Sequence, residues 1–257
     1  MRLATYNLLH GRHLGAGGRV DLAAAAERIA ALDADVVVLQ EVDRRLARTG
    51  EVHQVAWLAD ALGLVGAFAP ALLGSPDTAW STPTGGDTGG PAYGVGVLSR
   101  WAVDDSAWLT LPGGGDGRRR RPATPQRPGW DREPRVALRV TVAAPGGSCT
   151  LTTTHLSYLP WRAVRQLRAA LRFADGQRAA LLGDLNLPPG PVARLARGWR
   201  QVRAAPTYPA WAPRVQVDQA LLRGLRPRAW EVPPHTTSDH RPLVVDVTAP
   251  GPGAWDG

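Results

Sequence analysis

The stretch Asp35-Val-Val-Val-Leu-Gln-Glu41 decides the fold class of this chain. Residues 36–39 are apolar without the alternation of a half-exposed strand, which predicts a strand buried on both faces. A helical pattern of Ala, Glu, Arg and Ile precedes it at 20–32, and a second helical pattern follows at 51–62. Helices that flank a doubly buried strand predict an α/β or α+β sandwich, with the helices outside a sheet core.

The remaining pattern continues this interleaving along the chain. Strands are predicted at 2–9, 93–99, 135–143, 149–155, 178–184, 217–222 and 242–247, and a third helix at 161–173. Gly and Pro gather at 73–91, 112–134 and 250–257, which predicts surface loops. At 257 residues the chain is within reach of one hydrophobic core. We therefore expect one domain over residues 1–248 and a flexible tail at 249–257.

Composition excludes several classes of protein. With 44% hydrophobic and 20% charged residues, the chain is neither disordered nor fibrous. No apolar run approaches the roughly 18 residues of a membrane span, and the first residues form a strand pattern rather than a signal peptide, which predicts a cytoplasmic protein. The single Cys149 excludes an internal disulfide or a multi-cysteine metal site and indicates a buried thiol. The net charge of +8, carried entirely by Arg, favours anionic partners such as phosphoesters, nucleic acid or a membrane surface.

Polar residues of catalytic type recur where predicted buried strands end, a place where side chains can enter a cleft. The carboxylates and amides supply hard oxygen ligands, which suit Mg²⁺ or Mn²⁺ rather than zinc. The two imidazoles can move protons, and a further carboxylate can hold one ring in a single tautomer. The carboxylates and amides in question are Glu41, Asp184, Asp239, Asn7 and Asn186; the imidazoles are His155 and His240; the further carboxylate is Asp218.

At these residues the chain resembles the endonuclease/exonuclease/phosphatase superfamily, the DNase I-like metal-dependent phosphoesterases. The resemblance runs in family order from residue 3 to about 247. It is closest to the bacterial metal-dependent hydrolase group, through the stretches at 7–12, 40–44 and 207–211. The motifs that carry the family resemblance are Thr5-Tyr-Asn7, Leu39-Gln-Glu41, Tyr93-Gly-Val-Gly-Val-Leu-Ser-Arg100, Thr154-His-Leu156, Gly183-Asp-Leu-Asn186, Val217-Asp218 and Ser238-Asp-His240.

This resemblance implies a four-layered α/β/β/α sandwich with the site at one edge of two packed sheets. Glu41 would bind the metal, with Asn7 and Asp239 nearby. Asp184 and Asn186 would orient the nucleophilic water and the phosphate.

In the same comparison, His240 paired with Asp218 would act as general base or transition-state stabiliser, and His155 would face the phosphoryl oxygens or the leaving group. Arg135, in Glu133-Pro-Arg, resembles a family position close to the phosphate. The chain departs from the family at Gln219, where an aromatic residue is more usual.

Three functions remain open from the sequence. The leading hypothesis is a Mg²⁺- or Mn²⁺-dependent phosphoesterase that hydrolyses a phosphodiester or phosphomonoester by in-line attack of water. The positive charge and the Arg118–Arg121 block favour a DNA endonuclease, exonuclease or repair nuclease as an alternative. A non-catalytic module that binds phosphate or nucleic acid is the alternative of another class. No feature indicates a protein partner, and His10 is read as either a solvated loop residue or a site residue.

Overall fold

A computed structural model describes residues 1–83, 86–114 and 131–248 of the chain. The Arg118–Arg121 block and the predicted tail at 249–257 lie outside these residues, so both remain predictions.

The described residues form 15 strands and four α-helices. The helices are α1 (Leu22–Ala31), α2 (Gln54–Leu62), α3 (Pro160–Phe173) and α4 (Pro189–Leu195). The strands are β1 (Arg2–Asn7), β2 (Arg12–His13), β3 (Arg19–Val20), β4 (Val36–Arg44), β5 (Val65–Gly74), β6 (Trp80–Ser81), β7 (Ala92–Ser99), β8 (Val103–Thr110), β9 (Val136–Val142), β10 (Cys149–His155), β11 (Ala179–Asp184), β12 (Arg200–Gln201), β13 (Asp218–Arg223), β14 (Arg226–Glu231) and β15 (Leu243–Thr248).

Two sheets pack face to face and confirm the four-layered α/β/β/α sandwich. The first has the order β14-β15-β1-β4-β7-β5-β6 and the second the order β12-β13-β11-β10-β9-β8. One apolar cluster joins Val36 and Val38 of the first sheet to Leu138 and Leu151 of the second. The opposite face of the first sheet packs on α1 and α2, and that of the second on α3 and α4. Burial on both faces explains the unbroken apolar run of β4.

Local signals set where the helices begin and end. Asp21 caps α1, because its Oδ1 accepts a hydrogen bond from the amide of Ala24 at 2.9 Å. His53 caps α2 through Nδ1, so this helix begins at Gln54 rather than at residue 51. It ends at Gly63, whose φ of 65° is a left-handed conformation that glycine adopts without strain.

The sheet pairings bring the predicted site residues to one edge. β1 runs parallel to β4 and pairs Asn7 with Gln40, next to Glu41. In the second sheet, β10 runs parallel to β11 and pairs His155 with Asp184, while β13 pairs Asp218 with the same Asp184. The strand ends of both sheets therefore face a common cleft.

Within the ranges that the structure describes, no helix is long and apolar enough to cross a bilayer.

Candidate active site

The site is a cavity of about 460 Å³ at this shared edge. Among the predicted site residues, all but Asn7 and Asp218 line the cavity directly, and those two contact residues that do. Further lining residues are His10, Arg48, Pro76, Tyr93, Glu133, Tyr158, Tyr208 and Val217.

Glu41 reaches the cavity from inside a strand. The prediction that the strand ends at residue 39 is wrong, because β4 continues to Arg44. The register between β4 and β7 shifts between Leu39 and Val42, and the φ of Glu41 is 54°. A bulge of this kind re-aims one side chain without ending the strand. Glu41 consequently points into the cleft although its neighbours are buried in the sheet.

Asn7 is hydrogen-bonded to two carboxylates of the cleft. Its Nδ2 donates to Glu41 Oε1 at 3.1 Å and to Asp184 Oδ2 at 3.2 Å. Its Oδ1 accepts from the amide of Leu9, which fixes the orientation of the side-chain amide. Asn7 thus presents its nitrogen, not its oxygen, to the carboxylates, and it sets their separation.

Asp184 is the centre of the buried polar network. Its Oδ2 lies 3.5 Å from His155 Nε2 and 3.7 Å from His240 Nε2. Burial raises the pKa of Asp184, while the nearby His240 opposes this rise. Its Oδ1 accepts from the amide of Asn186, which has a φ of 49° and donates through Nδ2 to the carbonyl of Leu156. The backbone thereby holds the Asn186 side chain at the cleft.

Asp218 and His240 form a buried pair. His240 Nδ1 lies 2.9 Å from Asp218 Oδ2, and the other ring nitrogen faces Asp184. Burial lowers the pKa of His240, but the charges of Asp218 and Asp184 outweigh it and raise the pKa to about 10. The ring is therefore an imidazolium near neutral pH. The ring of Tyr208 packs against it, with centroids 4.7 Å apart.

His155 differs from His240 in its protonation. Burial, together with the positive charges of Arg135 and His240, lowers the pKa of His155 well below its ordinary value. Its Nδ1 is buried and has no hydrogen-bond partner among the described residues. A neutral imidazole and an imidazolium thus flank one carboxylate, so of the two rings only that of His240 carries a positive charge.

Arg135 enters the cavity at the start of β9. Its Nη2 donates to Asp131 Oδ2 at 3.3 Å, and its Nη1 lies 3.2 Å from Glu133 Oε1. The buried Nε and Nη1 have no hydrogen-bond partner of acceptable geometry within the described part of the chain. The guanidinium therefore has N–H groups that can donate to further oxygen atoms, as expected for a group near a phosphate.

Sequence reasoning missed the cluster that supports Glu41 from the side. Arg48 donates to both carboxylate oxygens of the fully buried Asp43, each at 2.8 Å, and its Nη2 lies 3.1 Å from His10 Nδ1. His10 Nδ1 also lies 3.5 Å from Asp43 Oδ1, and its Nε2 lies 3.2 Å from Glu41 Oε2. His10 is thus a site residue. The sequence offers only one signal for this cluster, the short spacing of Asp43 and Arg48 after Glu41.

The donor set of the cavity fits a divalent cation. Four lining carboxylates, those of Glu41, Glu133, Asp184 and Asp239, face the two guanidinium groups and the His240 imidazolium. Asp239 receives a hydrogen bond from Ser238 Oγ on its Oδ1. The cavity therefore has an excess of negative charge and hard oxygen donors, which suit Mg²⁺ or Mn²⁺.

A second cluster, formed by two carboxylates and one imidazole, is also compact enough to hold a metal ion. Ligand atoms of Asp184, Asp218 and His240 lie within 4.8 Å of one another. Both ring nitrogens of His240 already face these carboxylates, however, so its protons supply the positive charge there.

Comparisons with known proteins agree with this architecture. The model of the endonuclease/exonuclease/phosphatase family matches residues 4–240. A comparison with curated proteins gives no match. A solved endonuclease/exonuclease/phosphatase from Beutenbergia cavernae is 26% identical, with a TM-score of 0.78, over 98% of this chain and 72% of that one.

Two more distant structures share the fold. Mannosyl-6-phosphatase Bt3783 of Bacteroides thetaiotaomicron is 16% identical, with a TM-score of 0.67, over 96% of this chain and 99% of that one. TDP2 of D. rerio, solved with a single-strand DNA product, is 17% identical, with a TM-score of 0.67, over 97% of this chain and 99% of that one. Because the family model matches nearly the whole length of the chain, the chain belongs to the endonuclease/exonuclease/phosphatase family.

Proposed function

We propose that this protein is a Mg²⁺- or Mn²⁺-dependent phosphoesterase that cleaves a phosphodiester or phosphomonoester by in-line attack of water. One observation carries the proposal: Glu41 and Asp184 lie on strands of different sheets, and at one cleft they meet His240, which lies in the loop before β15 and pairs with Asp218 of β13. A binding module would have no need for several carboxylates close together, because they repel one another and an anionic ligand.

Glu41 and Asp239 are the proposed metal ligands, and Asn7 contacts Glu41. A divalent cation bound there would neutralise charge on the nonbridging phosphate oxygens. His10 orients Glu41 through its Nε2, and Asn7 bridges Glu41 and Asp184 through hydrogen bonds from its Nδ2. The remaining chemistry falls to the protein's own side chains.

His240 acts as a donor rather than a general base in this proposal. A ring that is protonated near pH 7 can hydrogen-bond to a phosphoryl oxygen and stabilise the charge that develops in the transition state. Asp218 keeps the ring protonated and fixed in orientation. Arg135 adds a second cationic donor for the phosphate.

Asp184 is the proposed residue that orients the attacking water, with the Asn186 amide beside it. The raised pKa of Asp184, caused by burial, brings its carboxylate closer to the range in which a group can accept a proton near neutral pH. His155 stays neutral because of its burial and its cationic neighbours, so it can face the leaving group or a phosphoryl oxygen without adding charge.

The proposed substrate is named by class. Two structural neighbours are a mannosyl-6-phosphatase and TDP2 crystallised with a single-strand DNA product. At their level of identity they share only the fold, and in such folds substrate choice depends on loops around a common site. A nuclease is the nucleic-acid case of the same phosphoesterase chemistry.

The experiment is a substrate screen with the purified protein in Mg²⁺ or Mn²⁺. Bis-p-nitrophenyl phosphate tests diester cleavage, p-nitrophenyl phosphate tests monoester cleavage, and plasmid DNA and an abasic-site duplex test nuclease action. Glu41→Gln should abolish turnover, whereas Glu27→Gln, on the exposed face of α1, should keep it. No turnover of any phosphoester with either metal would overturn the proposal.

A further inference from the structure

A second cavity adjoins the catalytic cleft. It has a volume of about 580 Å³ and is lined by Arg12, Arg19, Arg48, His10 and Asp77, among others. His10 and Arg48 line both cavities, so these two side chains lie between them. Arg12 and Arg19 belong to the short antiparallel pair β2–β3, which we call the basic ribbon (residues 12–20).

The basic ribbon is hydrogen-bonded to the loop that carries Asp239. The amide of Leu14 donates to the carbonyl of Thr237 at 2.9 Å, two residues before Asp239. At the other end, the amide of Asp21 donates to the carbonyl of Gly11 at 2.8 Å. Any ligand held by the ribbon is therefore held in a defined position relative to the proposed metal ligand Asp239.

The charge of this second cavity is opposite to that of the cleft. Arg12 donates through Nε to the carbonyl of Gly18 at 2.9 Å, and its terminal nitrogens have no hydrogen-bond acceptor within residues 1–83, 86–114 and 131–248. Among the described residues, neither Arg12 nor Arg19 forms an ion pair with a carboxylate. The acidic side chain in the lining, Asp77, lies 3.3 Å from Arg48, which also pairs with the buried Asp43. The lining still carries three guanidinium groups against this one carboxylate. Two unpaired guanidinium groups beside a phosphoester site form an anion site.

We propose that the basic ribbon is a substrate subsite that binds a second phosphate group, so that preferred substrates carry a phosphate next to the scissile one. This inference rests on the proposed phosphoesterase function and adds a specificity to it. The second phosphate can belong to the adjoining nucleotide of a nucleic acid or to a small bisphosphorylated molecule. In both cases Arg12 and Arg19 recognise the same chemical group.

A matched pair of chromogenic substrates tests the subsite. Thymidine 5′-(p-nitrophenyl phosphate) and its 3′-phosphorylated form have the same scissile bond and leaving group but differ by one phosphate. We expect kcat/KM to be about 10-fold higher for the 3′-phosphorylated form at low salt, mainly through KM, because charge-assisted contacts to phosphate are strong and salt-dependent. The double substitution Arg12→Ala with Arg19→Ala should remove this preference.

The matched control removes equal charge elsewhere. Arg165→Ala with Arg168→Ala, on the exposed face of α3, should keep the preference. Calorimetry with thymidine 3′,5′-bisphosphate should show weaker binding to the ribbon variant than to the wild type or the control. An increase of kcat/KM with oligonucleotide length would identify nucleic acid as the source of the second phosphate, and saturation at two phosphates would identify a small bisphosphate.

The outcomes separate this inference from the proposed function. If bis-p-nitrophenyl phosphate is cleaved but the 3′-phosphate gives no advantage, the subsite is wrong and the phosphoesterase proposal stands. Equal losses on both thymidine substrates in the ribbon variant would also overturn the subsite, because they would indicate a structural role. If no phosphoester is cleaved at all, the proposed function itself fails.

Discussion

The substitution Asp218→Asn should convert His240 from an imidazolium to a neutral ring without changing the shape of the site. In the wild type, burial opposes protonation of His240, and the carboxylates of Asp218 and Asp184 overcome it, so the pKa is about 10. The amide keeps the volume of Asp218 but removes the charge 2.9 Å from Nδ1.

The structure gives the size of this effect. At an effective dielectric constant of about 20, opposite charges about 4 Å apart attract by about 4 kcal/mol, and about 1.4 kcal/mol corresponds to one pH unit of pKa. Loss of Asp218 is thus enough to return the pKa of His240 to near its ordinary value. With the imidazolium gone at pH 8, the rate on a diester should fall by about 10²- to 10⁴-fold.

Two assays check this prediction. NMR titration of the histidine rings should show no transition for His240 between pH 6 and pH 8 in the wild type and a clear one in Asp218→Asn. As the pH rises, activity should be lost at a lower pH in Asp218→Asn than in the wild type. Asp60→Asn, on the exposed face of α2, should leave the pH–rate profile unchanged.

Stability provides an independent sign. The pKa of His240 is higher in the folded protein than in the unfolded chain. Its contribution to the free energy of unfolding is therefore complete below the ordinary pKa of 6.5 and is lost as the pH rises through about 10. The stability deficit of Asp218→Asn should therefore be largest below pH 6.5 and should shrink toward pH 10. The reasoning would be refuted if His240 in Asp218→Asn did not titrate below pH 9 and the variant cleaved a diester at nearly the wild-type rate. His155 would then become the proton-transfer candidate.

Three further predictions concern the supporting structure. Arg48→Met should lower the free energy of unfolding by about 3 kcal/mol at pH 7, because it leaves the buried Asp43 carboxylate without its guanidinium. Burial favours a higher pKa for Asp43, but Arg48 lowers it. The deficit in unfolding free energy, measured by urea unfolding, should therefore shrink as the pH falls below 4. Adding Asp43→Asn to Arg48→Met should reduce the deficit at pH 7. Gly183→Ala should destabilise the protein by at least about 2 kcal/mol in the same assay, because the new Cβ would lie 2.1 Å from the carbonyl oxygen of Thr154; a wild-type midpoint would contradict this. Burial raises the pKa of Cys149 to about 11, so a thiol reagent should label it at pH 8 only after unfolding, and fast labelling of the native protein would disprove its burial.

The sequence predicted the sheet cores well and the sheet edges poorly. The buried strands β4 and β11 contain continuous apolar runs, and β10 has Cys149 and Leu151 among threonines; the structure confirms all three strands. The edge strands β8 and β14 were missed, because an edge strand exposes most of its side chains and can be as polar as Val103-Asp-Asp-Ser106. β5 was missed as well, since Pro70 and two glycines interrupt its pattern at a register shift.

The residues of the candidate site that lie in short sequence motifs could be predicted from the sequence. Glu41, Asp184 and His240 were named from short motifs, and the structure brings them to one cleft. The support of Glu41 by Arg48 and His10 was not predictable, because it depends on a bulge and on a left-handed backbone at His10, whose φ is 57°. Neither feature follows from local residue preferences, since tertiary contacts impose both.

The most direct test of the account is the metal dependence of diester cleavage. Turnover of bis-p-nitrophenyl phosphate should disappear in EDTA, return with Mg²⁺ or Mn²⁺, and fail to return in Glu41→Gln, because the clustered carboxylates otherwise repel the substrate. Full turnover in chelator, with Glu41→Gln as active as the wild type, would contradict the central claim that this cleft is a metal-dependent phosphoesterase site.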